Sequence, residues 1–247
     1  MAQLGSSHRA IPIVALDVPD AESARDLVVR LDGHCDFYKV GLELFAAEGP
    51  AVVEWLRGQG KRVFVDLKLH DIPNTVRAAA RSVARHGASL LTVHASGGSA
   101  MIQAAVEGAR EGGGVGGSQP SCEILGVTIL TSLDGATVGS AWGRPPVEIQ
   151  EEVLRLAGLV KLGGGAGIVC AGHEAAAVRD MYGDSLGLLI PGIRLPGGDA
   201  HDQHRVMTPT AAAEAGAHWL ILGRAVTAAP NPVEAMKAVN QALLSVA

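Results

Sequence analysis

Eight short β-rich runs alternate with Ala-rich segments of helical period along nearly the whole chain, and that alternation limits the fold more than any other feature. Strands are predicted at 11–16, 37–40, 63–69, 90–94, 124–130, 168–171, 186–191 and 219–222. Helices are predicted at about 21–31 behind an Asp20 N-cap, then at 51–59, 75–86, 99–110, 147–162, 174–182, 209–215 and 232–244. Such alternation demands parallel strands, because each helix returns the chain to the same edge. Eight units in 247 residues predict an α/β fold of the (β/α)8 or TIM-barrel type, one domain over 11–247 behind an N-terminal extension at 1–10. An open doubly wound sheet is the alternative, and the regular count of eight favours closure.

Composition supports a compact chain and removes several function classes. Hydrophobic residues make up 48% and charged residues 18%. With aromatics at only 3%, the core must be built from Ala, Val, Leu and Ile. A net charge of −5 offers no basic excess for a phosphate backbone, so no nucleic-acid partner is expected. No apolar run reaches the roughly 20 residues needed to span a bilayer, and MAQLGSSHRA has no apolar stretch typical of a signal peptide. Cys35, Cys122 and Cys170 form no CxxC pair and read as reduced thiols, which predicts a soluble cytoplasmic protein. The Gly-rich tract EGGGVGGSQP at 111–120 reads as a mobile surface connection within the domain.

The chemistry is concentrated in FVDLKLHDIPNT, 64–75, where an apolar strand ends in Asp66, Lys68 and Asp71. Residues two apart on a strand share a face, so Asp66 and Lys68 point the same way. A structural ion pair is the ordinary reading of such residues, but three charges at the end of a buried strand favour a site. Active sites of (β/α)8 barrels lie at the C-terminal ends of the strands. There the sequence also sets Asp17 (strand one), Lys39 (strand two), His94 (strand four), Thr131 and Ser132 (strand five), Arg194 (after strand seven) and Gly223-Arg224 (after strand eight).

The arginines point to an anionic ligand. Loops after strands seven and eight are the frequent phosphate site of this fold. Gly223 lets the backbone approach an anion, and Arg224 can grip it bidentately. Arg194 opens a long polar loop, RLPGGDAHDQHR, which could close over the same group through Gln203. Ordinary surface arginines are the competing reading.

Lys68 lies between two carboxylates, with Lys39 as a further member of the set, and this near-neutral cluster can be desolvated more cheaply than a lone charge. The carboxylates favour the ammonium form, which is a poor nucleophile and a good acid. That disfavours Schiff-base chemistry and favours a reaction that builds negative charge on carbon and then takes up a proton. Metal signals are weak. His201 and His204 have HxxH spacing without a third ligand, and His70 is expected to face away from Asp66. GGGAG at 163–167 precedes a strand rather than opening a helix, so it is no nucleotide loop, and Cys170 is expected inside a strand, in the core.

Taken together, these residues resemble the orotidine 5′-phosphate decarboxylase family. The resemblance rests on ALD (15–17), YKVG (38–41), FVDLKLHDIPNT (64–75), VHASGG (93–98), GVTILTS (126–132), PGIR (191–194), DQHRVMTP (202–209) and LGRAV (222–226), and so covers nearly the whole chain. It implies cofactor- and metal-free decarboxylation of orotidine 5′-phosphate to UMP, the last step of UMP synthesis. It implies Lys68 as the residue that protonates C6, with Asp66 beside the leaving carboxylate and holding Lys68. Asp71 and Thr75 would reach into the partner's site in a homodimer. Asp17 and Lys39 would bind ribose hydroxyls, Thr131 the pyrimidine, and Arg194, Gln203, Gly223 and Arg224 the phosphate. Two rivals remain at this level. One is a Mg2+-dependent sugar-phosphate decarboxylase or aldolase sharing the DxKxxD strand, which would want an acidic ligand where this chain has Lys39. The other is a catalytically silent phosphate-binding protein.

Overall fold

The computed structural model describes residues 9–113, 121–195 and 207–246. Eight strands close into a barrel in sequence order: β1 (Ile11–Leu16), β2 (Phe37–Val40), β3 (Arg62–Leu69), β4 (Leu90–His94), β5 (Glu123–Val127), β6 (Gly167–Val169), β7 (Gly187–Ile190) and β8 (Trp219–Leu222). Every pairing is parallel, and β1 closes on β8 with Ile11 opposite Trp219 and Val14 opposite Leu222. The (β/α)8 fold is therefore the observed one. Of the expected 1–10 extension, only Arg9 and Ala10 are described, and Ala10 is already buried.

The two-residue period of a strand sorts side chains into two separate cores. Ile13, Ala15, Phe37, Phe64, Leu90, Leu125, Leu189, Trp219 and Ile221 fill the barrel interior. Their neighbours Val14, Leu16, Tyr38, Val40, Val63, Val65 and Leu91 pack outward against the helices. Continuing the inward parity toward the C-terminal ends reaches Asp17, Lys39, Asp66 and Thr92. The same alternation that builds the core thus delivers polar side chains to its upper rim.

Most helices fall within two residues of expectation. Asp20 caps Ala21–Arg30 through its side chain to the Ser23 amide, 2.8 Å. The helix after β3 begins earlier than expected, at Pro73, where a missing N–H costs nothing. The helix Gly98–Gly112 runs into the tract read as a connection. A Cβ at Gly108 would collide with the Arg77 carbonyl oxygen, so glycine is what lets this helix close on Pro73–Arg85. Residues 114–120 lie outside the described residues. Leu42–Glu48, Gly135–Ala141 and Arg224–Thr227 are helices that the period analysis did not find.

Strand β5 stops at Val127 rather than continuing to 130. Strand β6 offers only Gly167–Val169 for pairing, and Val127 lies opposite its last residue; Thr128 donates both its amide and its hydroxyl to the Val169 carbonyl there, at 3.2 and 2.8 Å. Thr131 is therefore a loop residue, four positions past the strand. Likewise Cys170 lies one residue beyond β6, not within it.

Candidate active site

A cavity of about 240 Å3 opens at the C-terminal end of the barrel. Asp17, Lys39, Asp66, Lys68 and Thr131 line it, together with apolar side chains that include Phe64, Ile129, Leu130, Leu189 and Ile221. Five of the predicted site residues, drawn from four different strand–loop units, therefore meet in one place. Cys170 also lines it, and burial pushes its thiol upward, so it presents a neutral apolar surface.

The charged groups form a row of alternating sign. Lys39 Nζ lies 2.8 Å from Asp17 Oδ1 and 3.8 Å from Asp66 Oδ2. Lys68 Nζ lies 2.8 Å from the same Asp66 oxygen. Burial deepens toward the middle: Lys39 retains 7% of its surface, whereas Asp17 at one end is open to solvent. Two carboxylates and two ammoniums sum to zero charge, so the row can be held in a low-dielectric floor at tolerable cost. Gly41 borders it, and a Cβ there would sit 2.8 Å from Lys39 Nζ and 3.0 Å from Asp17 Oδ1. Glycine leaves room for the pair.

Lys68 is the one non-glycine residue among the described residues with a positive φ, +50°. The β3–β4 ladder shifts register over this stretch, running from Val65 opposite Leu91 to Leu69 opposite Val93. Four residues of β3 thus span two of β4, and the surplus is a bulge centred on Asp66 to Lys68. A lysine in the left-handed region costs about 1–2 kcal/mol. Strain of this kind gathers at functional positions. Here it turns Lys68 so that its ammonium meets Asp66 over the cavity.

One residue of this arrangement was not singled out from the sequence. Thr92, wholly buried on β4, donates its hydroxyl hydrogen to Asp66 Oδ1 at 2.8 Å and accepts the Lys68 backbone N–H at 3.0 Å. Its signal was available, since a threonine in LLTVH shares the inward parity of Leu90. At the end of the same strand, the half-buried His94 ring lies 5.5 Å from the ring of His70. Burial first, then His70 and Lys68, hold the His94 imidazole below its ordinary value, with Asp66 acting in the opposite direction. His70 is exposed and does not line the cavity.

Asp71 and Thr75 do not join the cavity. Residues 70–75 are exposed throughout, and Asp71 accepts the Ile72 amide at 2.6 Å. Ile72 beside it is a large apolar side chain with 67% of its surface in solvent. Arg194 and Arg224 lie outside the lining residues but near each other. Arg194 is buried, and desolvation together with the neighbouring Arg224 charge lowers its proton affinity. Gly223 precedes the short helix Arg224–Thr227. Gln203, His201 and His204 fall outside the described residues. Among the described residues, no three His, Cys, Asp or Glu side chains are grouped to hold a metal ion, and no helix is long and apolar enough to cross a membrane.

Fold and rim define a (β/α)8 barrel with a charged cavity at the C-terminal end of its strands. The chain belongs to the orotidine 5′-phosphate decarboxylase / HUMPS family, whose model matches residues 11–239. It is 46% identical over 227 residues to an orotidine 5′-phosphate decarboxylase of Moorella thermoacetica, covering 92% of this chain and 89% of that protein. A Bacillus cereus protein of the same name is 43% identical over 229 residues, 93% of this chain and 95% of the relative. Among solved structures, orotidine 5′-phosphate decarboxylase from Lactobacillus acidophilus superposes with a TM-score of 0.84 at 35% identity, over 95% of this chain and 99% of the other. The enzyme from Pyrococcus horikoshii gives 0.74 at 26% identity, with the same coverage.

Proposed function

We propose that this chain decarboxylates orotidine 5′-phosphate to UMP and CO2, closing pyrimidine-nucleotide synthesis, without metal or cofactor. The observation that carries the reading is the alternating row Asp17–Lys39–Asp66–Lys68 on the cavity floor. In the reaction the bond from C6 to the carboxylate carbon breaks, CO2 departs, and the electron pair stays on C6. Lys68 Nζ gives C6 a proton and is reprotonated from solvent. No carbonyl delocalises the intermediate charge and no electron sink is provided, so fixed cations in a dry site must stabilise it. Asp66 lies beside the departing carboxylate. Two like charges about 4 Å apart at an effective dielectric near 20 repel by roughly 4 kcal/mol.

The remaining roles follow the rim. Asp17 and Lys39 bind ribose hydroxyls, and Thr131 meets the pyrimidine. Arg194, Arg224, the Gly223 backbone and Gln203 hold the phosphate, and the mutual repulsion felt by the two arginines supports an anion between them. Asp71 and Thr75 complete the site of a second copy, which makes the working unit a homodimer. Their exposure outside their own cavity, next to the exposed Ile72, supports that assignment. The three cysteines are free and buried, in keeping with a reducing cytoplasm. The net charge of −5 is in keeping with a small-molecule partner rather than nucleic acid.

A metal-using sugar-phosphate activity is the alternative inside the same family. Lys39 stands against it, because an ammonium occupies the position where that chemistry needs an acidic ligand. The deciding experiment follows the ultraviolet absorbance of orotidine 5′-phosphate with purified protein in EDTA. Steady turnover to UMP is expected. No turnover with EDTA, but turnover on added Mg2+, would overturn the cofactor-free reading.

A further inference from the structure

The geometry assigns Thr92 as the positioning residue of the reaction: its hydroxyl fixes both the Asp66 carboxylate and the backbone of Lys68. This inference rests on the decarboxylase reading and adds a residue to it.

The hydroxyl's single donor and one of its two acceptor positions each serve one of the two residues that flank the reacting position. As donor it reaches Asp66 Oδ1 at 2.8 Å, and as acceptor it takes the Lys68 N–H at 3.0 Å. The first bond divides the labour of the carboxylate. With Oδ1 tied to β4, Oδ2 is left for Lys68 at 2.8 Å and Lys39 at 3.8 Å. The second bond answers a problem that the bulge creates. The register shift between Val65 and Leu69 removes Lys68 from the regular β3–β4 ladder, so its amide must find another acceptor. Thr92 Oγ1 is that acceptor, and the φ of +50° at Lys68 is held by it. Because Thr92 is wholly buried on the barrel wall between its two partners, it cannot drift to solvent.

A donor and an acceptor are both required, at one distance from the β4 backbone. Serine supplies both from the same position, whereas valine keeps the shape and supplies neither. Removing the hydroxyl frees the Asp66 carboxylate to rotate and leaves the Lys68 amide without its partner. The Lys68 ammonium then wanders relative to C6 while the ribose and phosphate contacts stay in place. Misplacement by about 1 Å is enough to lower turnover on the order of 100-fold.

The test compares Thr92→Val and Thr92→Ser with the wild type, using kcat and KM for orotidine 5′-phosphate well below the melting temperature of each. Thr92→Val is expected to lower kcat by about 100-fold with KM changed less than about threefold. Thr92→Ser is expected to recover most of kcat. A Thr92→Val enzyme with normal kcat, or a serine variant as slow as the valine one, overturns the proposal. So does a loss in melting temperature with kcat intact, since that describes a purely structural threonine. If the valine variant does not fold, Thr92→Cys takes its place, with a thiol that fills the space and bonds weakly; kcat is then expected to fall below that of the serine variant, and a kcat equal to or above the serine value overturns the assignment. Should the wild type not turn over this substrate at all, the decarboxylase reading has failed instead. The positioning claim is then judged on a crystal structure of the valine or cysteine variant, where Lys68 is expected to leave the left-handed region; an unchanged φ refutes it.

Discussion

Lys39 and Asp17 meet at 2.8 Å across the β1–β2 seam, and the space beside their contact is kept open by the absent side chain of Gly41. The backbone of Gly41 is ordinary, with a φ of −90°, so alanine fits the chain conformation there. What alanine does not fit is the pair. Gly41→Ala is expected to fold and melt like the wild type while losing about tenfold or more in kcat/KM, because the lysine must move to make room. Steady-state kinetics beside a thermal melt check this, and an unaltered kcat/KM would show that the pair tolerates displacement.

Asp71 and Lys68 belong to one loop–strand segment but face different places, one outward and one into the cavity. Lys68→Ala is expected to reduce turnover by at least about 10³-fold, and Asp71→Ala comparably if it serves a second copy. Mixing the two inactive variants under conditions of subunit exchange then regenerates one intact site per hybrid dimer. Activity should rise toward one quarter of the wild-type value, roughly the yield of such sites in a random mixture. A mixture that stays inactive despite exchange refutes the shared site.

Arg194 and Arg224 are expected to act on the phosphate alone. Arg194→Ala should lower kcat/KM for orotidine 5′-phosphate by about 10- to 150-fold, the value of a charge-assisted hydrogen bond of roughly 1.5–3 kcal/mol. For orotidine, which lacks the phosphate, the variant and the wild type should be equally slow. An equal loss on both substrates would mean that the arginine shapes the rim rather than gripping the anion.

His94 gives stability a pH dependence of definite sign. Burial is the first cause that lowers its proton affinity, and His70 and Lys68 add to it against Asp66. In the unfolded chain the imidazole takes its proton near the ordinary value of 6.5; in the folded chain it does so only at lower pH. Between those two values the unfolded state holds more protons, so stability falls as pH drops through that window. Urea midpoints measured in steps from pH 7.5 to 5 should therefore fall more steeply for the wild type than for His94→Gln. Parallel curves would remove His94 from this role.

The barrel was legible in the sequence because its two periods, two and 3.6, are carried by residues that serve no other purpose. Ile13, Ala15, Phe64 and Leu125 alternate cleanly, and nothing interrupts the signal. The charged rim was legible for a related reason: Asp17, Lys39 and Asp66 extend an inward parity that apolar residues begin. The misreadings occur where local pattern and tertiary pairing part company. GVTIL continues to look like a strand past Val127, but its neighbour β6 is only three residues long, and the ladder ends with Val127 opposite Val169. The helix Gly135–Ala141 is seven residues long and rich in Gly and Ser, too short and too weak in propensity to announce itself beyond its Asp134 cap. The bulge at Lys68 has no local signature at all. It arises from pairing with β4, a partner more than twenty residues away in the chain, and a lysine with positive φ is what no propensity scale would suggest.

That lysine has a consequence for anyone who tries to improve the protein. At position 68 the fold and the chemistry want different amino acids: glycine would relax the left-handed backbone, and lysine is the proposed acid. A screen that rewards only heat resistance would drift toward Lys68→Gly and discard activity to gain about 2–8 °C. Robustness in this barrel is best sought on its outer helices, with the third strand left under tension.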